Sequence, residues 1–324
     1  MRRVIGLVLA GLGAFLIVVA LFLPTYVAGH VIKYPLNEYL ETTLKGTGVS
    51  YFSPSMVKEV SGATIRVTST VKGDAAAGTS STAVWDEFSY LYDTTNSAPF
   101  EFTSRRLAFD RRSAELVNCC GANIGGNKSI RQSGLVGFLW PMGTKKTTYQ
   151  VFDPSLNKPR PAHYAGTSTI DGIRVYRFVE DVAPTRSGSV TLPPSLVGMK
   201  GQSWVTLPEY YSGTNTFWVD PTTGAELNTT QDQKLVLEDA TGTQRLVLLD
   251  GSLAMTPQTV GKVVKLDKSG RSEYSLLVTV IPLVAGIIGI LALIAGIVLV
   301  WLARGDQSDD ADRTVAEPAL DPAV

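Results

Sequence analysis

The chain has 324 residues, with 29 basic and 29 acidic side chains and a formal net charge of zero. Only 18% of residues are charged while 44% are hydrophobic, and no basic block offers the concentrated cationic face that binding to nucleic-acid phosphates requires. Most of the apolar excess lies in two stretches, and the remainder has an ordinary soluble composition.

The first stretch, Val4 to Leu23, is uncharged and follows Arg2 and Arg3. A helix rises about 1.5 Å per residue, so a run of this length spans a hydrocarbon core about 30 Å thick. The paired arginines place the N-terminus on the cytoplasmic side by the positive-inside rule. A signal peptide is the competing reading, with Val27-Ala28-Gly29 as a weak cleavage site. Its apolar region usually runs only about 7–15 residues, which favours a retained anchor.

Residues 30–275 alternate short apolar runs with turn signals, the pattern of β-structure. In Gly62–Asp74, Ile65, Val67 and Val71 fall on one face and Arg66, Thr68, Thr70 and Lys72 on the other. Ile173–Val179 alternates in the same way behind the turn pair Asp171-Gly172. Lys234–Leu237 and Gln244–Leu249 read as strands separated by Asp239–Gly242. A short helix is predicted only over Val31–Leu44, where Leu36, Tyr39, Leu40 and Leu44 have helical spacing. Two stretches resemble each other, Phe109–Leu116 and Val219–Leu227: each is an apolar residue, Asp, turn formers, then Glu-Leu. Shared hairpin chemistry explains the likeness, with an internal duplication as the alternative. No linker divides this region, so one domain is expected.

The second apolar stretch runs from Leu276 to Leu302, with Trp301 and Arg304 at its far end, an arrangement that suits a cytoplasmic boundary. The expected organisation is a cytoplasmic N-terminus over 1–3, a transmembrane helix over 4–23, an extracytoplasmic β-rich domain over 24–275, a second transmembrane helix over 276–302, and a disordered acidic cytoplasmic tail over 303–324. The fold class is mainly β, or α+β with the helices counted. Small residues recur every four positions in both spans, Gly6, Ala10 and Ala14 in one and Ala285/Gly289 and Ala292/Gly296 in the other. Such spacing lets helix backbones approach closely, so the two anchors are candidates to pair.

Catalytic signals are thin. Only His30 and His163 are present, and no HExxH, GxSxG or Walker loop occurs. The matches to S-x-x-K at Ser55 and Ser155 lack the accompanying motifs of that chemistry. No catalytic residue, cofactor site or metal site is assigned, and the expectation is a non-enzymatic protein. Cys119 and Cys120, the only thiols, are adjacent. In an oxidising compartment a vicinal disulfide is the leading reading, against an intermolecular pair or two reduced thiols.

Family likeness enters over Gly134–Pro184. Trp140-Pro141, Lys145-Lys146-x-x-Tyr149, Asp153-Pro154, Tyr164-x-Gly166, Asp171-Gly172-Ile173 and Tyr176-Arg177-Phe178, with Phe217-Trp218-Val219-Asp220-Pro221-x-x-Gly224 later, resemble the actinobacterial membrane proteins of the PorA family. With the two anchors, the resemblance covers nearly the whole chain. The family name implies a pore, whereas a transmembrane β-barrel uses strands of about ten residues with alternating polarity and no helical anchors. The two-anchor plan is also similar to that of class B scavenger receptors, whose β-rich ectodomain carries a lipid tunnel. That likeness implies an external domain that binds or conducts an apolar or lipid ligand, with Phe138, Trp140, Trp204 and Phe217 as candidate cavity walls. An envelope scaffold and a pore are the alternatives. The expected partners are the lipid membrane and lipid or other envelope components.

Overall fold

The computed structural model describes the backbone of residues 1–313, with side chains except at Ala28 and from residue 303 onwards. Two compact units are present: Met1–Ile32 together with the residues from Arg271, and Lys33–Gly270.

The first unit is helical. Helix α1 spans Arg2–His30, with Pro24 inside it. Near the other end of the chain, α2 (Pro257–Ser275), which belongs to the second unit as far as Gly270, passes through one π-turn, Leu276–Val280, into α3, Ile281–Arg313. Both α1 and the α2–α3 run contain stretches long and apolar enough to cross a membrane. The helical backbone continues to Arg313, across part of the segment expected to be a disordered tail from residue 303; residues 314–324 lie outside the described residues.

The helices α1 and α3 run antiparallel and meet at small residues. A Cβ placed on Gly13 would lie 2.5 Å from the Leu293 backbone nitrogen and 2.6 Å from the Gly289 carbonyl oxygen. One on Gly296 would lie 2.5 Å from the Ala10 nitrogen and 2.6 Å from the Gly6 carbonyl oxygen. The buried positions are Gly6, Gly13 and Val27 on α1, and Pro282, Gly289 and Gly296 on α3. They recur at multiples of seven, the seam of a left-handed crossing. The four-residue pattern in the sequence therefore identifies Gly6, Gly289 and Gly296, while the fourth close contact is made by Gly13, which lies outside that pattern.

The second unit is a curled antiparallel sheet. Its strands are β1 (Tyr39–Ser53), β2 (Lys58–Gly73), β3 (Thr82–Asp93), β4 (Ala98–Asp110), β5 (Leu116–Val117), β6 (Asn123–Ile124), β7 (Tyr149–Asp153), β8 (Lys158–Ile170), β9 (Ile173–Leu192), β10 (Val205–Val219), β11 (Glu226–Glu238) and β12 (Gln244–Met255). The spatial order is β5-β4-β3-β2-β1-β12-β11-β10-β9-β8-β7, with β6 beside β4. Two consecutive meanders are thus joined in the middle by the pairing of β1 with β12.

The helix expected over Val31–Leu44 is not formed, because Tyr39 onwards is strand β1. Thr42, Thr43 and Val49 are β-branched, and Tyr39–Gly46 pair residue for residue with β2. Cross-strand pairing overrides a four-residue apolar spacing that is too short to stabilise a helix alone.

One turn design recurs at five hairpins. Ser53, Asp93, Asp110, Asp153 and Asp220 each accept a hydrogen bond from a backbone N–H two or three residues on. Four residues after each comes a left-handed position: Val57, Ser97, Ala114, Asn157 and Gly224. The side-chain oxygen fixes the turn, and the left-handed residue resets the strand twist. The two look-alike stretches in the sequence are two of these five, which supports shared turn chemistry. At Gly224 the requirement is also one of space, since a Cβ there would sit 2.1 Å from the Trp140 carbonyl oxygen.

The edges of the sheet are joined by the segment around Leu135. Its backbone bridges Glu115 on one side and Val151 on the other. Val136 N–H donates to the Ala114 carbonyl, and Phe152 N–H donates to the Leu135 carbonyl, at 3.0 Å each. At this end the sheet closes on itself.

Replacing Gly296 by leucine should destabilise the helical unit by about 1–3 kcal/mol, the usual cost of overpacking. Gly11→Leu is the control, because a Cβ at Gly11 meets nothing within 4 Å. Thermal unfolding in detergent should show a lower midpoint for the first variant only.

Candidate functional site

Arg105 on β4 is the centre of the closure. Its Nε donates to Gln132 Oε1 at 2.8 Å, its Nη2 donates to the Val136 carbonyl at 3.1 Å, and its Nη1 lies 3.6 Å from Glu87 Oε2. The guanidinium also sits 5.0 Å from the ring centre of Phe152. Gln132 is fully buried and passes its amide hydrogens to the Arg106 and Asn123 carbonyls. One charged group therefore ties β4 to the closing segment and to β7. A buried charge is tolerated only when so many partners meet it.

Inside the curled sheet is a cavity of about 180 Å³. Its lining comes from β1–β4, the 136–138 segment, β7, β9–β12 and Val263 of α2. Apolar walls include Val71, Val136, Phe138, Phe152 and Phe217. The same lining carries Glu87, Arg105, Asp153, Glu180, Asn215 and Glu226. Strand alternation explains this: every second residue must face inward, and the sequence places charge at several of those positions.

The carboxyls are strongly perturbed. Burial pushes Glu180 up to about 7, with the Asn215 amide opposing and Asp153 reinforcing the shift. Burial also drives Glu226 well above its usual range, with the Trp140 indole opposing. Neither Glu226 Oε2 nor Trp140 Nε1 completes a hydrogen bond. Burial raises Glu87 against the pull of Arg105, and raises Asp153 against the N–H groups of Ser155 and Leu156. Tyr211, packed beside this group, is raised by burial and by Asp153.

The four aromatics singled out in the sequence separate. Phe138 and Phe217 line the cavity. Trp140 is wholly buried, stacked 4.4 Å from the Phe178 ring centre, and belongs to the core beside the cavity. Trp204 is 67% exposed and lies outside it. Among the described residues, this cavity does not match the dry tunnel that a lipid tail requires, because four carboxyls and a guanidinium stand in its lining. The lipid expectation therefore has no support.

Cys119 and Cys120 are exposed in the loop before β6, with Cys120 in the left-handed region and adjoining sulfurs. His163 is exposed on β8, with Nδ1 3.0 Å from Thr148 Oγ1.

Comparison with known proteins gives a match to the family model Porin PorA over residues 5–298. The chain belongs to the Porin PorA family. It is 24% identical to a Porin PorA of Corynebacterium amycolatum, over 50% of this chain and 52% of that relative. It is 25% identical to a Porin PorA of Corynebacterium resistens, over 36% of this chain and 40% of that relative. The chain thus spans about half the length, or less, of these PorA relatives.

What sequence reasoning missed is the acidic interior. Glu87, Glu180 and Glu226 each sit in strand-like alternation, but only the folded sheet shows that they line one cavity. The available signal was the charge at a phase otherwise occupied by apolar residues, as in Phe178-Val179-Glu180-Asp181-Val182.

A pH titration of stability should expose this interior. The folded Glu180 carboxyl titrates at about 7 against an ordinary 4.5. The folded state therefore binds more protons, and stability falls as pH rises from the lower value to the higher one. At about 1.4 kcal/mol per pH unit the loss is about 3 kcal/mol. Chemical denaturation of Glu180→Gln between these limits should show a correspondingly flatter profile.

Proposed function

We propose that this chain is a non-enzymatic, pore-forming protein of the cell envelope, anchored in the membrane by two helices. The observation that carries the reading is the partly polar interior of the β unit, where charged side chains from five of the twelve strands line one cavity. Water and ions pass along polar walls, whereas an apolar ligand is served by dry ones. The family membership and the relatives named Porin PorA support the same reading.

This pore differs from an outer-membrane barrel. The exposed large apolar side chains of the described β unit include Phe88 and Phe102, whose ring centres lie 6.2 Å apart, and Trp204, too few for the lipid-facing band of such a barrel. The membrane is crossed instead by α1 and α3. Within one chain these pack backbone to backbone through Gly6, Gly13, Gly289 and Gly296, which leaves no passage between them. Conduction across the bilayer therefore needs several copies around a shared axis.

In this reading both helix ends flanked by arginine are cytoplasmic, residues 24–275 are extracytoplasmic, and Cys119 and Cys120 are joined in that oxidising compartment. A scaffold role is the alternative if no current is carried.

Purified full-length protein added to a planar bilayer should give discrete conductance steps, with a frequency rising more steeply than linearly with concentration. Folded, inserted protein that carries no current at any concentration would overturn the pore reading. Topology is tested separately by labelling intact cells with a membrane-impermeant maleimide. A cysteine replacing Gly188 should react and one replacing Ser308 should not, and the native pair should take up label only after reduction.

A further inference from the structure

We propose that α2 carries a docking site for the phosphate headgroup of an anionic phospholipid, formed by Lys265 and Lys268. The inference rests on the reading that α3 crosses a bilayer, and it is independent of conduction. It concerns charge at the membrane surface, not an apolar ligand inside the β unit.

The helix is continuous from Pro257 to Leu302, and its apolar stretch begins at Leu276. Lys268 precedes Leu276 by eight residues and Lys265 by eleven, about 12 and 16 Å of helix rise. The headgroup layer adds about 5–8 Å to each side of the hydrocarbon, and a charge acts over about 8–10 Å before salt screens it. Both ammonium groups therefore stand within electrostatic reach of lipid phosphates. Basic side chains beside a membrane span are attracted to anionic lipid in this way.

The packing of α2 decides which side chains point away from the sheet. Its buried residues are Thr259, Val263, Val264 and Asp267. The Thr43 N–H donates to Thr259 Oγ1 at 3.1 Å, and Thr223 Oγ1 donates to Asp267 Oδ1 at 2.5 Å. Val264 shares a core with Ile173, Val175 and Leu227. On the opposite side Lys262, Lys265 and Lys268 are exposed, three residues apart. Lys262 is engaged, since its Nζ donates to the Glu41 carbonyl at 3.2 Å. Among the described residues, Lys265 and Lys268 have neither a hydrogen bond nor a carboxylate partner. Like charges at this helical spacing repel, and a phosphate between them replaces repulsion with charge-assisted hydrogen bonds.

Insertion into the membrane does not account for these charges. Lys262, Lys265, Lys268 and Arg271 precede the apolar stretch, while Arg304 and Arg313 follow it. In the topology read above, that surplus lies on the extracytoplasmic flank, the reverse of what orients a span. Arg2 and Arg3, ahead of the first helix, set the orientation instead. Of the two carboxylates on α2, Asp267 is buried, and Glu273 is turned about 140° around the helix from Lys268. The exposed side is thus net positive. An anionic headgroup complements it, whereas a zwitterionic one brings a cation of its own.

The test is reconstitution of the full-length protein in phosphatidylcholine vesicles with a trace of spin-labelled phosphatidylglycerol or spin-labelled phosphatidylcholine. Electron paramagnetic resonance gives the fraction of each label whose motion the protein restricts. At low salt the phosphatidylglycerol label should associate at least about fivefold more strongly, the weight of one lysine beside an anionic lipid. Salt at about 0.5 M should shrink the preference. Lys265→Gln/Lys268→Gln, with an unchanged thermal midpoint as the folding control, should lose most of it. Lys58→Gln/Lys128→Gln, which removes the same charge from exposed positions elsewhere on the β unit, should keep it. Inorganic phosphate at about 10 mM and fixed ionic strength should not displace the labelled lipid. Equal restriction of the two labels, full preference in a folded Lys265→Gln/Lys268→Gln variant, equal loss in the Lys58→Gln/Lys128→Gln control, or displacement by inorganic phosphate overturns the proposal. None of these readouts depends on current, so failure of the pore and failure of the headgroup site are told apart.

Discussion

The β unit depends on a buried guanidinium. Arg105 holds the segment around Leu135 against β4, and that segment completes the contact between the two edges of the sheet. Edge strands left bare expose rows of unpaired N–H and C=O groups, so joining them removes a liability as well as shaping the interior. The cost of burying the charge is offset by Gln132, the Val136 carbonyl, Glu87 and the face of Phe152 acting together. Loss of the Gln132 or Val136 contact leaves a buried donor of Arg105 unsatisfied.

The closed sheet then determines what kind of interior is possible. Aromatic layers fill most of it: Trp85 with Phe109 at one place, and Trp140 with Phe178 and Phe217 at another. Between them remains a small cavity whose charged groups are acidic except for Arg105. Packing alone does not explain why Glu180 and Glu226 are kept there, since apolar residues would fill the space with less desolvation penalty. Their presence marks the interior as polar by construction, and it separates this protein from a lipid-tunnel design despite the similar two-anchor plan.

The helical unit follows a different physical rule. Lipid tails are as apolar as the helix surfaces, so burial of apolar area gives little drive to association. Close backbone approach supplies it instead, and the glycines at multiples of seven permit that approach. The same tight contact closes the space between the two helices, and it is the reason the proposed pore involves more than one copy.

Much of this was written in the sequence. Two uncharged stretches of bilayer length, a mainly β region, the strands at Ile65–Val71 and Ile173–Val179 and the family likeness all follow from local pattern, because helices and strands each bury one repeating phase of residues. Local pattern failed at Val31–Leu44, where the pairing of β1 with β2 outweighed a helical spacing. It also recognised only two of the five recurrent hairpins, since the turn depends on an oxygen at its first position and tolerates almost any residue between. The candidate site was the least legible part. Phe138 and Phe217 reach the cavity, while Trp140 and Trp204 do not, and nothing in their neighbours distinguishes them. Which charged residues share an interior depends on strand register and ring closure, both of which pair residues far apart in the chain. The sequence by itself determined which segments are long and apolar enough to cross a membrane and most of those that form sheet; only the tertiary structure decided that Glu87, Asp153, Glu180 and Glu226 line one cavity, because contact between distant strands is set by register and not by any local period.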